Sequence, residues 1–453
     1  MKTLGVIILL SFLFIKSFTL SGQETVTKSL NVTVYNSDLG VIKDVRSIDL
    51  KKGISQVRIT DVPERIDPTS VLIKFNGSVI EQNYQYDLVS QQKILEKYID
   101  RDITLTSNKT IIKGKLLSAD RIVLKEDDGS LIMLPKIDDY QITVGALPEG
   151  LITMPTLVWT LESEKAGKQD VELTYQTAGM NWHAEYVALL NPDDTKIDLK
   201  SWVSINNTSG ATYKDANLRL IAGEVNRVQP QPPPGYAYDY RKAMAPEGVP
   251  PQFEEKPFFE YHIYNLQRPT TIADNETKQI SLFDANDVKV SKKYIYKSGD
   301  YYYNRGKVAV VIEFENKKIN NLGMPMPEGK VRLYKSDGNT IEFVGEDMIN
   351  HTPKDEKVKL RAGDAFDIVV EENQKDYKKI ADKVWEQSYE IKFKNHKDEN
   401  ITIEVERNLG YNWEILDSSL KYDKKDAQNI LFHVPVNKND ETVLSFRIRY
   451  TGS

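Results

Sequence analysis

Four carboxylates in one central stretch are the residues of this sequence best suited to chemistry. Glu346 and Asp347 follow Phe343-Val344-Gly345, and Asp364 and Asp367 flank Ala365-Phe366. Two carboxyl groups facing each other across a cleft suffice to cleave a glycosidic bond, one as acid and the other as base or nucleophile. The same residues also build turns, because Asp accepts backbone N–H bonds and Gly345 and Gly363 supply dihedrals that other residues avoid. Spacing alone does not make acids converge. Turn formation is therefore the preferred reading, and a carbohydrate-active hydrolase is the alternative.

A second group is aromatic. Tyr294, Tyr296, Tyr301, Tyr302 and Tyr303 lie beside Arg305 and Lys307. Tyrosine gives a large contact area at low entropic cost, so Tyr301, Tyr302 and Tyr303 form a candidate binding surface. Rings packed on neighbouring strands are the plainer alternative. The five histidines, His183, His262, His351, His396 and His433, have no metal-ligand spacing. Neither a nucleophile elbow nor a phosphate-cradling glycine loop occurs. With zero cysteines there is no disulfide, thiolate nucleophile or Cys-ligated metal. No catalytic residue, cofactor or metal is assigned.

The elements that would hold these residues are strands. The chain has 453 residues, more than one core usually supports, and its 24 tyrosines with frequent Val, Ile and Thr favour β-structure. A net charge of −6 with interspersed signs disfavours nucleic acid as a partner. Residues 1–22 read as a signal peptide: Lys2 precedes an apolar run from Leu4 to Ile15, which Lys16 breaks well short of a membrane span. Export to the periplasm or the exterior is expected, with no transmembrane segment after cleavage.

Residues 23–89 read as a β-domain turning at Asp67-Pro68. Ser90 caps an expected helix over 91–98, with Ile94, Leu95 and Tyr98 on one face. Five short strands between 99 and 147, with a hairpin signal at Asp127-Asp128-Gly129, predict a small SH3-like or Sm-like barrel in a 90–150 module. A central β-domain follows over 151–384, interrupted by an aperiodic, Pro-rich loop at 228–257. Residues 385–453 alternate cleanly and predict an immunoglobulin-like sandwich around Trp413, with Phe393, Val405 and Phe446 pointing inward. The fold class is all-β, in several antiparallel modules.

Several segments together resemble a known family. They are 35–71 with Asp67-Pro68-Thr69-Ser70, Tyr175 through Trp182 to Tyr186, 211–220, the stretch 321–367 containing Pro325-Met326-Pro327-Glu328-Gly329, and 395–450 with Trp413. In this order they resemble the mucoidy-inhibitor-A-like proteins, whose C-terminal part is a domain of unknown function. Fuller members carry a coiled coil where this chain has its small barrel. The resemblance implies an effect on exopolysaccharide and no catalytic residues. The expected function is that of an exported cell-envelope binding or scaffold protein, with an envelope protein or polysaccharide as partner.

Overall fold

A computed structural model describes residues 25–107, 110–134, 139–223, 225, 253–258, 261–299, 306–337 and 339–452. The expected signal peptide, Tyr301, Tyr302, Tyr303 and most of the Pro-rich loop lie outside the described residues. The described chain is almost entirely strand, and it divides into two compact units. The first holds 42–177 with residues up to 30 and 209–211; the second holds 31–41, 178–208 and 212–453.

The first unit contains a three-stranded sheet with Thr156–Ser163 between Gly53–Ile59 and Gly77–Gln85. It also contains the group of Gly40–Leu50, Gly167–Thr177 and Leu72–Lys74. Alternation decides what is buried: Val57, Ile59, Leu157, Trp159 and Leu161 are almost fully enclosed. Asp67 caps the short 3-10 turn Pro68–Ser70 by accepting from Thr69 N at 2.9 Å, as its Asp-Pro sequence leads one to expect.

The helix Gln91–Lys97 begins where Ser90 accepts a bond from Lys93 N, and it buries Leu95 and Tyr98. These two side chains share a core with Ile103, Leu105, Leu116, Ile122 and Leu124. The strands over that core depart from expectation. They form an open five-stranded sheet, in the order Gln141–Thr143, Asp102–Thr106, Ile111–Ser118, Val123–Lys125, Leu131–Met133, with no closed barrel among the described residues. Three of the strands are only three residues long. The helix supplies apolar cover instead, with the Tyr98 hydroxyl donating to Ala146 O at 2.6 Å.

The second unit holds two sandwiches. In the first, a five-stranded sheet runs Glu276–Lys289, Lys196–Asn207, Met180–Leu190, Gly329–Ser336, Ile341–Ile349. Its inner face carries Trp182, Ala184, Tyr186, Val203, Ile205, Val331 and Leu333, all buried. Facing it, Tyr213–Ala222 pairs in parallel with 31–35 and antiparallel with Tyr261–Leu266. The Trp182 indole N–H donates to Ile221 O at 3.0 Å, and its ring meets Tyr264 edge-on at 6.0 Å. Tyr186 and Tyr264 donate to Pro327 O and Pro325 O, which fixes the Pro325-Met326-Pro327 stretch against this core. Residues 253–257, placed by sequence in the loop, belong to a strand, Phe253–Phe258, that pairs antiparallel with Tyr261–Leu266.

The second sandwich packs a six-stranded sheet, Lys357–Asp364, Ala309–Glu315, Ser291–Ser298, Ile401–Asn408, Asn429–Val436, Tyr422–Lys424, on a four-stranded one, Ile368–Ala381, Val384–Asn395, Asp440–Thr451, Trp413–Ser418. Phe393, Val405 and Phe446 are buried as expected. Four of its strands precede residue 385, and Tyr294, Tyr296, Val308 and Ile368 belong to its core. A sandwich of 385–453 alone would lack these. Trp413 is only partly buried, because its strand lies at the sheet edge; its N–H donates to Ala427 O at 2.9 Å.

Candidate functional site

The four central acids go to different places. Asp347 accepts from the backbone N–H of Arg361 at 2.7 Å, and Asp364 accepts from the Arg361 guanidinium at 2.7 Å. The strands meet here at Gly345, where a Cβ would lie 2.1 Å from Ala362 O, so no larger residue fits. Glu346 points to the opposite side of its strand, 3.5 Å from the Lys330 ammonium. Asp367 sits in a turn, its carbonyl accepting from His396 N at 2.8 Å. The structure thus joins Asp347 and Asp364 through one arginine and leaves Glu346 on another face. Tyr294 and Tyr296, part of the tyrosine group, are core residues.

A second carboxylate–arginine pair lies inside the second sandwich. Arg407 donates to Glu372 and to the Ser298 hydroxyl, each at 2.7 Å. The Tyr296 hydroxyl and Gly299 N–H also donate to Glu372, at 2.8 and 3.2 Å. The guanidinium lies 3.8 Å from the Tyr389 ring centroid. Three further donors, Tyr296, Ser298 and Gly299, and a ring surround this charge pair, which ties strands of both sheets together.

The outer face of the five-stranded sheet is different. Pairing places Asn181 opposite Asn206, His183 opposite Ser204 and Glu185 opposite Trp202. It also sets Gln279 beside Ser204, Thr277 beside Asn206, and Glu346 beside Arg332. Since paired residues share a face, these side chains form one polar ladder around the partly exposed Trp202. Asn206 donates to Asn181 at 3.0 Å and accepts from the Thr277 hydroxyl at 2.6 Å. Gln279 donates to Ser204 at 3.0 Å and to Glu185 at 3.3 Å, and Arg332 donates to Glu185 at 3.4 Å.

Charge on this face is set by its neighbours. The hydrogen bond from His183, together with Arg332, brings the Glu185 carboxyl down to about 2. Glu185 therefore stays ionised and acts as an acceptor, whereas a general acid needs a pKa near the working pH. Elsewhere, His262 contacts Glu255 at 2.7 Å, His433 contacts Asp423 at 3.3 Å, and His351 accepts from Glu328 N at 3.1 Å. Among the described residues, no three His, Asp or Glu side chains gather as a metal site requires.

Sequence reasoning passed over this face because its residues come from five strands. Arg332 and Glu185 are 147 positions apart. The local signal was the polar alternation Asn181, His183, Glu185 against the apolar Trp182, Ala184, Tyr186. A sheet face that sets the Trp202 ring among fixed donors and acceptors can stack a sugar ring and hydrogen-bond its hydroxyls. No curated protein matches the sequence. Residues 171–449, which include this whole face and both sandwiches' central strands, match the family described as a domain of unknown function (DUF4139), and the chain belongs to that family.

Proposed function

We propose that this chain is an exported cell-envelope binding protein that holds a polysaccharide on the Trp202 face, and that within its family it groups with the mucoidy-inhibitor-A-like proteins. The observation that carries the reading is Trp202 set in the ladder of Asn181, Asn206, Gln279, Glu185 and Arg332. The ring offers an apolar stacking surface, and the ladder offers acceptors and donors already oriented by one another. The ionised Glu185 favours holding a ligand over protonating one. The hydrolase alternative would rest on Glu346, Asp347, Asp364 and Asp367, and three of these meet a cation or an arginine amide.

Affinity electrophoresis through gels containing envelope polysaccharide tests the reading. Wild-type protein should be retarded, Trp202→Ala should migrate freely with an unchanged melting temperature, and no reducing ends should be released. Equal retardation of wild type and Trp202→Ala, or release of sugar that stops in Glu346→Gln, overturns it. Fractionation of the native cells should place the protein outside the cytoplasm; recovery in the cytoplasm overturns the exported assignment.

A further inference from the structure

The first unit carries an open recess of about 370 Å³, lined by Glu64, Ile66, Pro68, Tyr84, Tyr86 and Leu88, with Pro155 at its base. The geometry points to this recess as a binding site for an extended, proline-rich peptide that bears a basic residue. The site is separate from the Trp202 face and does not depend on it.

Its walls are preorganised. Tyr84 and Tyr86 stack with centroids 5.6 Å apart and planes 26° apart. The Tyr84 hydroxyl is anchored to Pro63 O and Glu64 O at 3.3 and 3.2 Å. Pro68 is held by the Asp67 cap, and its carbonyl accepts from Gln82 at 2.9 Å. Gln82 is held in turn by the Trp159 indole at 3.0 Å. Tyr86 remains 70% exposed, so its ring is open to a ligand.

The chemistry of the lining selects the occupant. Ile66, Pro68, Leu88 and Pro155 line it with apolar side chains, which suit pyrrolidine rings better than a sugar's many hydroxyls. Aromatic-lined grooves take polyproline helices because that conformation is preformed and pays little ordering entropy. Glu64 supplies the charge: no ion pair engages its carboxylate among the described residues, so a Lys or Arg flanking the prolines would complete it.

The test is fluorescence anisotropy with a labelled nonaproline tipped by arginine, titrated with the whole protein. Saturable binding is expected, at least tenfold weaker in Tyr86→Ala at unchanged melting temperature. Glu64→Gln should weaken the arginine-tipped probe several-fold and leave an untipped nonaproline unaffected. Absence of saturable binding to wild type overturns the proposal. So does a folded Tyr86→Ala that binds as wild type does, equal effects of Glu64→Gln on both probes, or displacement of the peptide by a neutral oligosaccharide.

Discussion

Two Glu–Arg pairs of the second unit differ in distance, in exposure and in how firmly each carboxylate is held. Glu372–Arg407 lies at 2.7 Å with side chains 16% and 7% exposed. Glu185–Arg332 lies at 3.4 Å with side chains 23% and 21% exposed. The first carboxylate has its acceptor capacity filled by Tyr296, Ser298, Gly299 and Arg407. The second shares looser bonds with His183, Gln279 and Arg332 on a partly exposed face. A buried pair is expensive to break, because the remaining charge is stranded; an open pair is cheap to break and free to exchange partners. The buried pair therefore serves the fold, and the open pair is the one a ligand can use.

The largest effect should come from Arg407→Ala, which strands Glu372 and should cost about 3–5 kcal/mol in urea unfolding. Arg407→Met paired with Glu372→Leu should recover only part of that loss, since no charge is stranded but the Tyr296 and Ser298 hydroxyls and the Gly299 N–H lose their acceptor. A small loss in Arg407→Ala would erase the distinction between the two pairs. Next, Tyr296→Phe removes a hydroxyl bonded to a charged acceptor and should cost roughly 1.5–3 kcal/mol.

The open pair should respond more to pH than to truncation. With Glu185 held at about 2, below its ordinary 4.5, its contribution is complete above pH 4.5 and is lost as pH falls towards 2. Stability curves of wild type and Glu185→Gln should converge by of order 1 kcal/mol across that window. Parallel curves would show that the neighbours do not hold the charge. The smallest stability change belongs to Arg332→Ala, about 0–1 kcal/mol, although polysaccharide retention should fall clearly.

What could be read from sequence was what the chain settles locally. Asp67 at its cap, Ser90 at the helix start and the Asp128 turn each bond a backbone N–H two or three positions away, so a short window contains cause and effect. The all-β class followed from alternation in strands such as Met180–Leu190. The open form of the 102–143 sheet was not legible, since closure depends on how strand ends meet and not on strand count. That Tyr294 and Tyr296 pack on neighbouring strands was the plainer reading of the tyrosine cluster, but not that those strands come from 391–448. The Trp202 face was the least legible part: Glu185, Trp202, Gln279 and Arg332 become neighbours only through the pairing of four strands.

Hydrogen-exchange mass spectrometry of the whole protein, with and without envelope polysaccharide, tests the central claim most directly. Polysaccharide should slow exchange in peptides covering Met180–Leu190, Lys196–Asn207 and Gly329–Ser336, and Trp202→Ala should abolish that protection. Protection confined to the Asp347–Arg361–Asp364 junction, accompanied by shortening of the polysaccharide, would contradict it.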